Sequence, residues 1–386
     1  VADTSSAQVF SLVTGFVALS LTARWLGPEG RGVIAASTTW ASLFLTVGHL
    51  SLGQVAIYHA TRRRGESWLP DVLGALLVLA LVLTLGSWLV AWALYLVSNG
   101  TVFGGLSPGV LASGMAGLPF LLWEQYGGGL LMATNRLREY NRALVVTRGL
   151  TVVLIGVAWI LRLGVIGVLL AGVVAQGLGR LVALRTLWVE AGRRFVFRSA
   201  LARELIRDGT RLHLNYVGDF FVMQAAILLV HRALGAAATG EFQAAQYLLT
   251  VLMVVPQSAS YVLIGRTTSS GPDAAWVEQR RRIALVVLGM AALAGIAGLL
   301  APVLVRSALG PGFDRAVPVI RILMLTVGPM TLVKLLQAQW LARGYFMALS
   351  VGTMVLGVIS LMGTALAVPR WGITGVAWVM VVVYGV

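Results

Sequence analysis

Cysteine is absent from the 386 residues, which excludes disulfides and thiolate metal sites. Lysine occurs once, at position 334. Charged residues make up only 11% of the chain against 58% hydrophobic, whereas a soluble domain carries roughly 25% charge. Lipid must therefore be the solvent over most of the length. The chain also lacks a long outer loop, any Asp-x-Asp pair and any His-x-x-x-His helix. Those absences disfavour a membrane glycosyltransferase or polymerase, which needs acidic or metal-holding groups outside the bilayer or a large outer loop. No enzyme activity, cofactor or metal is expected.

What the sequence has is apolar runs, each about 20 residues long or more and so able to cross a bilayer. They fall near 7–26, 33–58, 70–97, 109–133, 143–161, 165–189, 212–230, 242–264, 283–305, 317–341, 345–367 and 372–386. The last is cut short and residue 1 is not Met, so the chain is expected to be a piece of something slightly longer. No cleavable signal stands out.

The net charge of +15 invites a nucleic-acid reading, but its distribution excludes one. One set of alternate loops holds seventeen arginines, from Arg62, Arg63 and Arg64 through Arg193 and Arg194 to Arg343. The other set holds seven: Arg24, Arg31, Arg162, Arg232, Arg306, Arg315 and Arg370. Basic loops stay in the cytoplasm, so the N-terminus is expected inside and the segment LGPEGRG (26–32) outside. Some of this charge can also hold anionic membrane lipids. The tripeptide Asn99-Gly100-Thr101 matches a glycosylation sequon, a chance match outside a eukaryotic context.

The chain repeats itself. A fixed shift of 208 pairs Arg24 with Arg232, Gly27 with Gly235, Gly32 with Gly240, Gly164 with Gly372 and Gly167 with Gly375. Loop punctuation kept in register over so long a stretch indicates duplication. The expected fold is an all-α membrane protein of about twelve transmembrane helices by span length. They would form two six-helix bundles related by a pseudo-two-fold axis along the membrane normal, since an even number of spans returns the second repeat in the same orientation. The boundaries are 1–190 for the first bundle, 191–211 for a basic amphipathic linker and 212–386 for the second. In the linker, Leu201 and Leu205 share one face and Arg203 and Arg207 another, with Ser199 as a cap and Gly209 as a stop.

Ionisable groups inside apolar spans are costly, about 2.5–3.5 kcal/mol at a helix centre, and functional by default. Glu124, Arg148, Asp219, Arg321 and Lys334 stand out. Glu124, Asp219 and Lys334 sit about 12–17 Å from the inner helix ends at 1.5 Å per residue. Glu124 and Lys334 occupy related places in the two repeats, and a pairing between them would close the inner side. Arg24 and Arg232, at matching outer ends, would present two guanidinium groups to a pyrophosphate. Arg148 and Arg321 are further cavity candidates, and Arg31 reads as an anchor. Gln243, Gln246 and Gln257 are candidate sugar contacts, although amides also bridge helices. His49, His59, His213 and His231 lie near helix ends or polar turns and read as interfacial. Gly127-Gly128-Gly129 either loosens its helix or admits another backbone, and Pro256 and Pro329 mark kinks.

The segments ARWLGPEGRGVIA (23–35), its echo at 232–240, LGPGFDRAVPVIRIL (309–323) and QWLARGYFMAL (339–349) resemble polysaccharide-repeat flippases. These belong to the multidrug/oligosaccharidyl-lipid/polysaccharide exporter superfamily, and the likeness covers essentially the whole chain. It implies alternating access in a bacterial plasma membrane, with a polyprenyl-pyrophosphate-linked oligosaccharide carried from the inner to the outer leaflet for surface polysaccharide synthesis. It also implies an ion-coupling carboxylate, for which Glu124 and Asp219 are the candidates, and contacts with polysaccharide polymerase machinery. The alternative within the superfamily is an ion-coupled multidrug exporter, which would want an acidic, aromatic-lined cavity.

Overall fold

Hydrocarbon offers no hydrogen bonds to a backbone, so an apolar run must satisfy its own N–H and C=O groups as a helix. In the computed structural model, which describes residues 2–62 and 68–385, each apolar run is helical over most of its length, and the described residues contain no strand. Arg63 and Arg64 lie outside the described residues, as do the side chains of His59, Arg62 and Arg211. The helices are α1 (Ala2–Gly48), α2 (Leu52–Arg62), α3 (Leu69–Ser98), α4 (Pro108–Met115), α5 (Leu118–Ala133), α6 (Leu137–Ile160) and α7 (Gly164–Glu190). There follow α8 (Ser199–Met223), α9 (Ala225–Leu252), α10 (Val254–Ser270), α11 (Pro272–Leu304), α12 (Ala316–Met324), α13 (Val327–Ala342) and α14 (Phe346–Gly385).

Among the described residues, seven helical stretches are long and apolar enough to span a bilayer, or eight if α12 and α13, bent by 45°, count as one. That is fewer than the twelve apolar runs because three stretches hold two runs joined at a glycine and the run 109–133 is split between α4 and α5. Straight, α1 would be about 70 Å long at 1.5 Å per residue, more than twice the roughly 30 Å hydrocarbon core. Gly27 breaks it, with φ 66° and ψ −173°. Gly235 does the same in α9 (φ 83°, ψ −176°) and Gly372 in α14 (φ 59°, ψ −150°). Gly164, at the start of α7, also has positive φ, 64°. These four glycines form two pairs at the repeat spacing, since 235 − 27 and 372 − 164 both give 208. The duplication is therefore written into the backbone conformation as well as the sequence. Pro256 and Pro329 stand in the first turns of α10 and α13, just past the breaks at Met253 and Leu325–Thr326.

The chain divides into two compact units, Val1–Leu26 with Val33–Val217, and Gly27–Gly32 with Gly218–Val386. In the first, α5 packs against α2, α3, α6 and α7. The triple glycine leaves α5 helical through Ala133, and a Cβ on Gly129 would lie 2.5 Å from the Gly53 carbonyl oxygen. Close backbone approach, not loosening, is its use. In the second unit, α9 packs on α12 and α14, and α13 on α10 and α11.

The division falls inside α8, because Gly209 does not stop that helix. It continues unbroken to Met223, and the glycine instead accommodates the Leu50 carbonyl, which a Cβ would meet at 2.2 Å. On its first turns Leu201 and Leu205 are buried while Arg203 and Arg207 are exposed.

Candidate functional site: charged groups within the spans

Glu124 on α5 has its partner in its own unit. Arg180 of α7 places Nη2 2.5 Å from the Glu124 carboxylate, with the arginine side chain 7% exposed and the glutamate 30%. The sequence reading named Lys334 as a partner; Arg180 is the one that the first unit itself supplies. A buried cation needs an opposite charge or it forces a large desolvation penalty, and Glu124 is within reach because α5 and α7 pack together. Arg180 and Gln176 are four residues apart and so share a face of α7. The pair does not exhaust the local polar groups. Arg180 Nε, Gln176 Oε1, Trp123 Nε1 and Tyr126 Oη are buried without a hydrogen-bond partner among the described residues. Most buried polar atoms in proteins find a partner, so these three donors and one acceptor remain available to a ligand or water. Sequence reasoning does not reach Arg180 or the exposed Arg185, although their place inside the 165–189 run is the same signal that marks Glu124.

The other candidates are dispersed. Arg24 and Arg232 are exposed, each three residues before a glycine kink. Arg148 is exposed on α6. Arg321 is tethered, its Nε donating to the Gly298 carbonyl of α11 at 3.3 Å. Lys334 is half-buried on α13, and its backbone carbonyl accepts from Ser260 Oγ at 2.9 Å. Asp219 is exposed on α8, one turn before Met223. The sulfur of Met223 accepts from the Tyr384 hydroxyl at 3.4 Å.

Two of the three glutamines are hydrogen-bonded within the second unit. Gln243 accepts from Arg31 Nη2 at 2.6 Å, and Gln246 donates to the Met223 carbonyl. Gln257 is half-buried on α10. Arg31, read from the sequence as an anchor, is held by Gln243 within the second unit. There the segment Gly27–Gly32 meets α9 reciprocally. A Cβ on Gly32 would lie 1.7 Å from the Ala236 carbonyl oxygen, and a Cβ on Gly240 would lie 2.0 Å from that of Pro28. Gly32 and Gly240 are repeat equivalents, as are Pro28 and Ala236, so the contact has a local two-fold character. Nearby, Glu241 is a buried acid that the sequence reading also passes over.

A second polar cluster joins the α1–α2 elbow to α8. His49 and His213 are buried with ring centroids 4.9 Å apart at 81°. The Ser51 N–H donates to His49 Nδ1 at 3.0 Å, Ser51 Oγ lies 3.4 Å from His213 Nδ1, and Gln54 Nε2 donates to the Tyr216 hydroxyl at 2.6 Å. These two histidines are packed parts of the elbow.

Residues 1–264 match the family described as polysaccharide biosynthesis protein. The chain belongs to that family. Its fold is similar to that of a multidrug resistance MATE family transporter of the MOP superfamily in an inward-facing conformation. The TM-score is 0.76 and the identity 15%, over 97% of this chain and 91% of that one. It is likewise similar to lipid II flippase MurJ in an inward closed conformation, with TM-score 0.78 and 12% identity, covering 99% and 84%. A MOP superfamily transporter from Pyrococcus furiosus Vc1 gives TM-score 0.62 and 14% identity, covering 99% and 90%. At these identities the likeness is one of fold. Among curated proteins, none matches the sequence significantly. The family resemblance read from the sequence is borne out, and the molecule is a multi-pass membrane protein with the fold of MOP-superfamily transporters.

Proposed function

We propose that this chain is a flippase that carries a polyprenyl-pyrophosphate-linked oligosaccharide from the inner to the outer leaflet of a bacterial plasma membrane by alternating access, with its N-terminus cytoplasmic. Family membership over residues 1–264 is the observation that carries this reading. The twelve runs then form two six-helix bundles about a pseudo-two-fold axis, which the glycine pairs at the 208-residue spacing favour.

Charge selects the substrate class. Within those runs, Arg24, Arg148, Arg180, Arg185, Arg321 and Lys334 outnumber Asp71, Glu124 and Asp219. That balance favours an anionic headgroup over the cationic cargo of a drug exporter. In this account Arg24 and Arg232 grip the pyrophosphate, while Lys334, Arg148 and Arg321 keep the passage positive. Glu124 and Asp219 are the proton- or ion-responsive carboxylates. The Glu124–Arg180 pair gives the first a definite action: neutralising Glu124 releases a buried guanidinium for the substrate's phosphate. Gln257, unlike Gln243 and Gln246, remains a candidate contact for sugar hydroxyls, and the product is handed to polymerase machinery outside.

The test is genetic and chemical together. A deletion strain should lose its surface polysaccharide and accumulate lipid-linked repeats on the inner leaflet. Wild-type protein should restore both, and the Arg24→Ala/Arg232→Ala variant should restore neither. Full restoration by that variant would remove the pyrophosphate site from the account.

A further inference from the structure

The connection from α7 to α8 reads Arg193-Arg194-Phe195-Val196-Phe197-Arg198. Gly192 and Arg193 both take left-handed backbone, φ 65° and 59°, and turn the chain sharply off the end of α7. The non-helical stretch that follows is pinned at two points to the start of α3. The Val196 N–H donates to the Pro70 carbonyl at 3.1 Å, and Arg198 Nε lies 3.2 Å from the Asp71 carboxylate. So fixed, the strap leaves its rings outside the protein interior. Phe195 and Phe197 are 49% and 50% exposed. Trp188, also exposed on the last turn of α7, stacks on Phe195 with centroids 6.3 Å apart and planes 20° apart.

Two cations beside these rings have no local counter-charge. Arg193 and Arg194 are exposed and pair with no carboxylate among the described residues. Two acids on the flanking elements are already engaged, Glu190 by Arg136 at 2.6 Å and Asp71 by Arg198. The strap lies where two spans, Leu69–Ser98 and Gly164–Glu190, begin and end, which is the depth of lipid headgroups. Aromatic rings interleaved with arginines suit that boundary: the rings prefer the acyl edge and the guanidinium groups prefer phosphate.

We propose that residues 193–198, with Trp188, form a docking strap for an anionic phospholipid. Arg193 and Arg194 hold the headgroup phosphate, and Phe195, Phe197 and Trp188 lie along the upper acyl chains. The rings decide the source of the phosphate, since a free anion would leave them exposed to water. The bound lipid holds the linker between the two repeats at the headgroup plane. The strap uses none of the residues assigned to transport, so it stands or falls separately from the flippase reading.

Native mass spectrometry of the purified full chain, incubated with phosphatidylglycerol or phosphatidylcholine, tests this. The wild type should retain phosphatidylglycerol in preference, and millimolar inorganic phosphate should not displace it. Arg193→Gln/Arg194→Gln should weaken that retention by about 30-fold, the combined effect of two basic residues at a membrane surface. Arg193→Lys/Arg194→Lys should keep most of it. Arg280→Gln/Arg281→Gln, an exposed pair on α11, should change it by less than about threefold if the site is local. Equal loss in both Gln pairs, or no preference in the wild type, would overturn the strap in favour of diffuse charge. Should the first pair fail to fold, Phe195→Ser/Phe197→Ser with both arginines intact should still lose the lipid. Full retention by that variant would overturn the proposal.

Discussion

Arg180 and Glu124 form a buried ion pair on adjacent helices of the first unit, guanidinium to carboxylate at 2.5 Å. Neither charge is comfortable alone at that depth. Glu124→Gln leaves Arg180 uncompensated and should lower stability by about 2 kcal/mol, less than a fully enclosed pair because the carboxylate is partly exposed. Arg180→Met with Glu124→Gln removes both charges and should recover most of that loss in detergent melting curves. Transport should not recover. Recovery of transport in the double variant would make the pair structural.

Gly32 and Gly240 test the reciprocal contact. An alanine at either would place its Cβ within 2.0 Å of a carbonyl oxygen, so backbone must shift, at about 1–3 kcal/mol. Gly86→Ala and Gly156→Ala, whose added methyls meet nothing within 4 Å, should be neutral or stabilising by up to about 1 kcal/mol. Thermal melting of the four variants under one detergent condition distinguishes the sites.

Gln246→Ala should weaken the protein without touching substrate choice, because its amide donates to the Met223 carbonyl. A loss of about 1 kcal/mol is expected for such a bond. Gln257→Ala should instead leave melting unchanged and slow translocation. The opposite pattern would exchange their roles.

Much of the fold was legible because its punctuation is chemical. Gly27 and Gly235 could be paired by sequence alone, and they share positive φ because only glycine takes that conformation without cost. Span number was harder, since a kink at glycine divides a helix without any polar signal. The site was harder still. Runs that are greasy on every side do not reveal which face turns inward, so Glu124 could be marked as unusual while Arg180 beside it was not reached. Gln243 shows the converse: a polar residue in a span looks functional until its neighbour, Arg31, is known. The contact between His49 and His213 was not legible, because it joins elements distant in sequence, the 49–51 turn and α8.

The most direct measurement is translocation by the purified chain in proteoliposomes loaded asymmetrically with a fluorescent polyprenyl-pyrophosphate oligosaccharide. A membrane-impermeant reagent reads the fraction that has crossed. The account predicts transfer by the wild type, at least a tenfold loss in Arg24→Ala/Arg232→Ala (about 1.4 kcal/mol), and no uptake of a cationic dye. Dye movement with the lipid left in its original leaflet would contradict it.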